Sequence, residues 1–231
     1  VITRQLSLRR HLSFVTISIL LLLAVAPSRA ILQCGDPDLP PECGTHIYCS
    51  PIIIDVGGHG FKLTSAADGV KFDIAGTNRP IQLAWTAPDS QNAFLAIDWN
   101  HNGKIDSGRE LFGNFSPQPQ SATPNGFIAL ADLDKPQFGG NGDGLIDDRD
   151  AMFASLLLWI DSNHDGISQP NELFTLPQMG VSAIDLSFKE SRRVDEFGNE
   201  FRFKSVVNGG GSAPEKIGHI AYDVLLTATA Q

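Results

Sequence analysis

Apolar residues along this chain come in short bursts, and the spacing inside each burst predicts what it forms. Between residues 51 and 98 the bursts are Ile52-Ile53-Ile54, Phe61-Lys62-Leu63-Thr64, Val70-Lys71-Phe72, Ile81-Gln82-Leu83-Ala84-Trp85 and Ala93-Phe94-Leu95-Ala96-Ile97, separated by Gly, Asp, Asn and Pro. Short runs bounded by turn-forming residues predict strands joined by tight turns, and so a small antiparallel sheet.

Residues 108–114, 125–134, 148–158 and 170–179 predict short helices instead, with Asn125 and Asp148 placed to cap two of them. The run Leu156-Leu157-Leu158-Trp159-Ile160 is apolar on every side, so its period fits a helix or a strand equally well. Farther on, 182–188 and 200–207 alternate on either side of Glu196-Phe197-Gly198-Asn199, which predicts a hairpin. Gly209-Gly210-Gly211-Ser212 is a flexible break before a last strand at 217–226. Strands, then helices with loops, then strands make an α+β fold: a small antiparallel sheet with short helices and a loop region inserted in it or packed on it.

The first thirty residues stand apart. Arg4, Arg9 and Arg10 precede an uncharged apolar run at 12–26, and Ser28-Arg29-Ala30 offers a small-x-small cleavage site, the pattern of a secretory signal peptide. That run is shorter than the ~20 residues needed to span a bilayer. The chain is therefore expected to be secreted, periplasmic or on the cell surface, with no membrane span after cleavage. Residues 31–50 form an N-terminal arm that carries all three cysteines, Cys34, Cys43 and Cys49. In an exported protein they are candidates for one disulfide with one odd thiol, and Cys43-x2-His46-x2-Cys49 with Cys34 is the weaker alternative of a zinc site. The remaining divisions are a domain at 51–207 and the Gly-rich break with the final strand at 208–231.

Charge narrows the partners. The formal net charge of −9 becomes −13 once the four Arg of residues 1–30 are removed, which argues against nucleic acid as a partner. Between Asp98 and Glu172 twelve acids face four basic residues, so the negative charge is concentrated in the loops.

One of those loops carries chemistry. Residues 161–172 match the EF-hand pattern D-x-[DN]-x-[DN]-G-x5-E, with Asp161, Asn163 and Asp165 at positions 1, 3 and 5, the Ile167 carbonyl at 7 and Glu172 at 12. Six to eight oxygens at about 2.3–2.6 Å suit Ca2+, and glycine at position 6 permits the sharp turn. The competing reading is a plain Asx-rich turn. A second loop presents Asp98, Asn100, Asn102, the Lys104 carbonyl and Asp106 at positions 1, 3, 5, 7 and 9, but Arg109 sits at position 12 and the acid arrives one residue late at Glu110. Its Ile105, at position 8, suits the short contact by which paired loops touch. A third loop has Asn141, Asp143, the Leu145 carbonyl, Asp147 and Asp150 at positions 3, 5, 7, 9 and 12. Gly139 would be its position 1, and Asp134 is the upstream acid that can swing in instead. His101 and His164 occupy position 4 and are expected to point into solvent. Oxygen donors without cysteine favour Ca2+ over zinc or copper, and Mg2+ dehydrates too reluctantly to fit well.

These loops, with Pro51-Ile52-Ile53-Ile54-Asp55, Phe72-Asp73, Trp85, Glu110-Leu111-Phe112-Gly113, Asn125-Gly126-Phe127 and Gln169-Pro170-Asn171-Glu172-Leu173, occur in an order that resembles the calcium-binding modules with EF-hand-like loops of large secreted RTX-type bacterial proteins. The likeness is closest to the module that, in some of them, cleaves an Asp-Pro bond at its own start when calcium binds. Two departures matter. Asp55-Val56-Gly57-Gly58-His59-Gly60 and Asp73-Ile74-Ala75-Gly76-Thr77-Asn78 have lost most of their acids, and Ser50 stands where the cleavable Asp would precede Pro51. The expectation is therefore a non-enzymatic, exported calcium-binding domain, structural or adhesive, with an extracellular protein or cell-surface partner. Calcium-triggered autoprocessing is the alternative. No G-x-S-x-G or H-E-x-x-H motif points to another enzyme.

Overall fold

The computed structural model describes residues 49–208 and 220–229. The stretches read as signal peptide and Gly-rich break, and Cys34, Cys43 and His46 of the arm, lie outside them.

The fold is mostly β, which corrects the α+β expectation. Seven antiparallel strands form one sheet in the order β7-β6-β4-β1-β11-β10-β9. They are β1 (Ile52–Asp55), β4 (Asn92–Ile97), β6 (Leu156–Trp159), β7 (Leu173–Thr175), β9 (Lys189–Val194), β10 (Glu200–Val206) and β11 (Ile220–Leu225). Two short ribbons accompany it, β2 (Val70–Phe72) with β3 (Ile81–Leu83) and β5 (Leu145–Asp147) with β8 (Ala183–Asp185). The helix α1 (Gly126–Ala131) is the one α-helix among the described residues.

Both faces of the sheet are covered, so its central strands read as unbroken apolar runs and not as alternating ones. Ile53, Phe94, Ala96 and Trp159 point into a core shared with Val70, Phe72, Leu83 and Trp85 of the β2–β3 layer. Ile52, Ile54, Leu95 and Leu158 point into a second core with Phe127 and Leu130 of α1 and Ile146 and Ile184 of the β5–β8 ribbon. In β10 the register shifts between Phe201 and Phe203, which is why two residues of the same parity reach opposite cores.

Of the four expected helices, 125–134 survives as α1, with the Asn125 side chain accepting from the amides of Phe127 and Ile128. Residues 108–114 bridge to strands instead, Leu111 to Ala96 and Gly113 to Pro51, because a Cβ on Gly113 would lie 1.5 Å from the Ser50 carbonyl oxygen and glycine lets the backbones touch. In 148–158 only a 3-10 turn at Phe153–Ser155 forms before β6 pairs with β4. In 170–179 β7 pairs with β6 ahead of a 3-10 turn at Pro177–Met179. Burial between two layers decided these runs where local period did not. The expected hairpin shifts as well: β9 pairs with β10 around the predicted turn, while β8 joins β5 and meets the end of β10 through the Ile184–Val207 bridge and the Ser205 hydroxyl, which donates to the Asp185 carbonyl. Lys189–Val194 is an edge strand exposed at nearly every position, so no apolar alternation announced it.

A buried polar knot fastens the start of β1 to the rest. Asp223 is fully buried and accepts from the Ser50 hydroxyl at 2.9 Å, the Gly126 amide at 2.7 Å and Arg202 Nη2 at 3.2 Å. Burial pushes its carboxyl above the usual range, while Arg202 and the two other donors pull it back down. Arg202→Ala leaves this carboxylate without its cation and is expected to cost about 3 kcal/mol in urea unfolding. Adding Asp223→Asn to that variant should recover part of the loss; no recovery would show that the charge is not the cause.

Candidate metal centre

Four acid-led turns among the described residues are built on the same local geometry. A first-position Asp folds back to accept the amides four and five residues on: Asp55 from His59 and Gly60, Asp73 from Thr77 and Asn78, Asp98 from Asn102 and Gly103, Asp161 from Asp165 and Gly166. Two residues in each turn take the left-handed conformation, at positions 4 and 6: Gly58 and Gly60, Gly76 and Asn78, His101 and Gly103, His164 and Gly166. Alternation between right- and left-handed residues turns neighbouring amides toward one carboxylate.

The third loop obeys the same rule through a detour. Gly142 and Gly144, its positions 4 and 6, are left-handed, and their amides donate to Asp134 at 2.8 and 2.9 Å. Asp134 thus stands where Gly139 has no side chain to offer. The residues between them coil into a 3-10 turn at Pro136–Phe138 that ends on left-handed Gly139. Within all three loops the remaining candidates follow one ladder. Asn100, Asn141 and Asn163 at position 3 accept from position 5, and Asn102, Asp143 and Asp165 at position 5 accept from position 7, which is Lys104, Leu145 and Ile167.

The closing acids are buried, and each accepts from the amide of position 9. Glu110 takes that of Asp106 at 3.0 Å, Asp150 that of Asp147 at 2.9 Å, and Glu172 that of Gln169 at 3.3 Å. Glu110 fills this role although it comes one residue late. Burial pushes its carboxyl up from the ordinary glutamate range, with Asp106 and Asp98 adding to the rise against the pull of the Asp106 amide.

Loops and core are joined directly. Trp85 Nε1 donates to Asp161 Oδ2 at 2.7 Å, and Trp159 Nε1 lies 3.5 Å from Glu172 Oε2, so two fully buried indoles face the opening and closing acids of one loop. Those rings pack against each other, centroids 5.5 Å apart, and against Phe72 and Phe94. The Asp98 and Asp161 loops touch at position 8 of each, where the Ile105 amide donates to Ser168 Oγ at 2.7 Å and that hydroxyl donates to the Ile105 carbonyl at 3.2 Å. The third loop lends its position 8, Ile146, to pairing with Ile184 of β8 instead.

His101 is exposed as expected, but His164 is not free: its Nδ1 is 2.9 Å from the Thr86 carbonyl and its Nε2 2.8 Å from that of Asp68. Backbone carbonyls 78 and 96 residues away leave no trace in local sequence. The indole donors to Asp161 and Glu172 were missed for the same reason. In the third loop Arg149 ion-pairs with both Asp143 and Asp147 at 2.6 Å, and its guanidinium holds the Asp147 carboxyl below the usual range. Cys49, fully buried, is disulfide-bonded.

Among the described residues no three His, Cys, Asp or Glu side chains converge on one point closely enough to hold a metal ion. The acids are turned toward the amides of their own loops. The donor chemistry nonetheless suits a hard divalent cation, because every first, third, fifth and closing side chain offers carboxylate or amide oxygen. Two buried oxygens, Glu110 Oε1 and Gln169 Oε1, have no partner at all. No Lys or Arg among the described residues pairs with the acids of the Asp98 or Asp161 loops.

No helix among the described residues is long and apolar enough to cross a membrane. The chain is 37% identical over 154 residues to the iron-regulated protein FrpA of Neisseria meningitidis serogroup C, an alignment covering 65% of this chain and 13% of that protein. The SPM domain profile matches residues 52–223, from the first strand of the sheet to the buried Asp223. This chain belongs to the SPM domain family.

Proposed function

We propose that this is an exported calcium-binding domain in which Ca2+, held by the Asp98, Asp134 and Asp161 loops, fastens those loops to the sheet in a structural or adhesive role. The observation that carries the reading is the Asp161 loop, whose two buried carboxylates face indole donors from the core and no compensating cation. Calcium would supply that charge. The ligands would be Asp161, Asn163, Asp165, the Ile167 carbonyl and Glu172 in this loop, Asp98, Asn100, Asn102, the Lys104 carbonyl, Asp106 and Glu110 in the second, and Asp134, Asn141, Asp143, the Leu145 carbonyl, Asp147 and Asp150 in the third. The Asp55 and Asp73 turns keep the amide cage and lack the other acids, so they serve as turns alone.

Export is supported by the signal-peptide pattern and by the likeness to RTX-type modules, and it suits a calcium-rich compartment. The reading is non-enzymatic, because a serine hydroxyl cannot attack its own peptide carbonyl as the Asp of an Asp-Pro bond does. In this chain Ser50 is instead bonded to Asp223. A calcium-dependent fragment on a denaturing gel would overturn that part and favour autoprocessing. A cell-surface or protein partner recognised only with calcium present would favour the adhesive form of the role over the purely structural one.

If the Asp161 loop binds at about 10 μM, about 1 mM calcium stabilises the fold by roughly 2.7 kcal/mol, which raises the melting temperature by roughly 5–10 °C. Calorimetry and thermal melts on chelator-treated protein measure both, and no heat with no shift sinks the reading. Tryptophan fluorescence should respond to the same titration, and Glu172→Gln should remove most of the response and lower affinity at this loop at least tenfold.

Glu110 supplies a prediction of sign. Its folded carboxyl holds a proton more tightly than the unfolded one, so its contribution to calcium-free stability is full below about pH 4 and is lost as pH rises through the folded value. At neutral pH in chelator, Glu110→Gln should therefore melt above the parent. In saturating calcium, which needs the ionised oxygen, it should melt below. The same order in both buffers would contradict a ligand role for Glu110.

A further inference from the structure

The three loops differ in how their charge is balanced. The Asp98 and Asp161 loops each place three carboxylates at the proposed ligand positions, and the Asp134 loop places four there, Asp134, Asp143, Asp147 and Asp150, with Asp148 beside them. Only the last has a basic side chain folded onto it. Arg149 Nη2 reaches Asp143 Oδ2 and Asp147 Oδ2, each at 2.6 Å, and Arg149 Nε lies 3.0 and 3.1 Å from the two Asp147 oxygens. The Arg149 amide also donates to Asp147 Oδ1 at 2.9 Å. Asp143 is occupied on its other side as well, with Oδ1 accepting the Leu145 amide and Oδ2 the Asn141 side chain.

Arg149 is position 11 of its loop. Position 11 is Asn171 in the Asp161 loop and Gly108 in the Asp98 loop, which closes one residue late; the Arg109 that precedes its closing Glu110 lies against Gly76 and forms no ion pair with the acids of that loop. A planar guanidinium grips two carboxylates at once, which an ammonium cannot do in the same way. We propose that Arg149 is a built-in counter-cation of the Asp134 loop, so that calcium must displace a bound guanidinium there and this loop fills last of the three.

The inference rests on the calcium reading of the loops and adds an order of filling to it. The arrangement works through two effects of one sign. The fork occupies oxygens of positions 5 and 9 that a divalent ion would use, and its positive charge opposes the approach of another cation even after it has swung aside. When calcium is scarce, the same contact shields Asp143 and Asp147 from each other. The third loop thereby remains closed without metal, which the other two do not manage by any ion pair among the described residues.

The test is calcium stoichiometry by native mass spectrometry, with site affinities from calorimetry, on the parent, Arg149→Ala, Arg149→Lys and Arg149→Ala/Asp134→Asn. The parent should bind two ions before a weaker third. Arg149→Ala should tighten the third by about fivefold, and Arg149→Lys, which keeps the charge and loses the fork, should fall between the two. The double variant should lose the gain, which assigns it to this loop. In chelator, Arg149→Ala should melt below the parent, and saturating calcium should close that gap. A third site unchanged or weaker in Arg149→Ala, with the first two filled, overturns the proposal alone. No bound ion in any of the four proteins overturns the calcium reading and this proposal together.

Discussion

A carboxylate at the rim of a β core must be met by protons or by positive charge, because its desolvation is otherwise unaffordable. This chain meets it first with its own backbone. The turns led by Asp55, Asp73, Asp98 and Asp161 each wrap two amides around that Asp with two left-handed residues, and reverse the chain abruptly. Strands of three to seven residues follow from turns that stop the chain so firmly. In the Asp161 loop the core meets the acids from the other side, Trp85 at Asp161 and Trp159 at Glu172, so this loop and the core share one group of oxygens.

The two turns without a full set of acids show how far this role separates from metal binding. Asp55 and Asp73 keep both amide contacts although His59, Gly60, Thr77 and Asn78 surround them in place of further carboxylates. The leading carboxylate thus serves the fold in each turn, and a closing acid together with an acid at position 5 or 9 is what distinguishes the loops proposed to hold calcium. The knot around Asp223 plays a parallel part for the opening of β1, where Ser50 donates its hydroxyl into a fully buried carboxylate.

Much of this could be read in the residues. Position 6 of every complete loop, the cap at Asn125 and the strands at Ile52–Asp55, Val70–Phe72 and Asn92–Ile97 follow from local spacing, because turn chemistry and short apolar runs are local properties. Asp134 was also visible as the one upstream acid in reach, though only the coiling of Pro136–Phe138 shows how it arrives. What spacing could not decide was the state of Leu156–Trp159, since a run apolar on every side is a helix or a strand according to what covers it. Lys189–Val194 was hidden for the opposite reason: an edge strand with no buried face has no pattern to display. His164, Ser168 and Arg149 take their roles from partners that sequence distance or side-chain direction conceals.

The position of β11 governs how the sheet can assemble. It pairs with β1 on one side and β10 on the other, so the seven strands exist as two unconnected halves, β7-β6-β4-β1 and β10-β9, until residues 220–225 enter between them. Asp223, which closes the knot on Ser50 and Gly126, travels on that same strand. The sheet therefore cannot be completed by growth from one end, and its closure waits on contacts of long sequence separation, the slow kind.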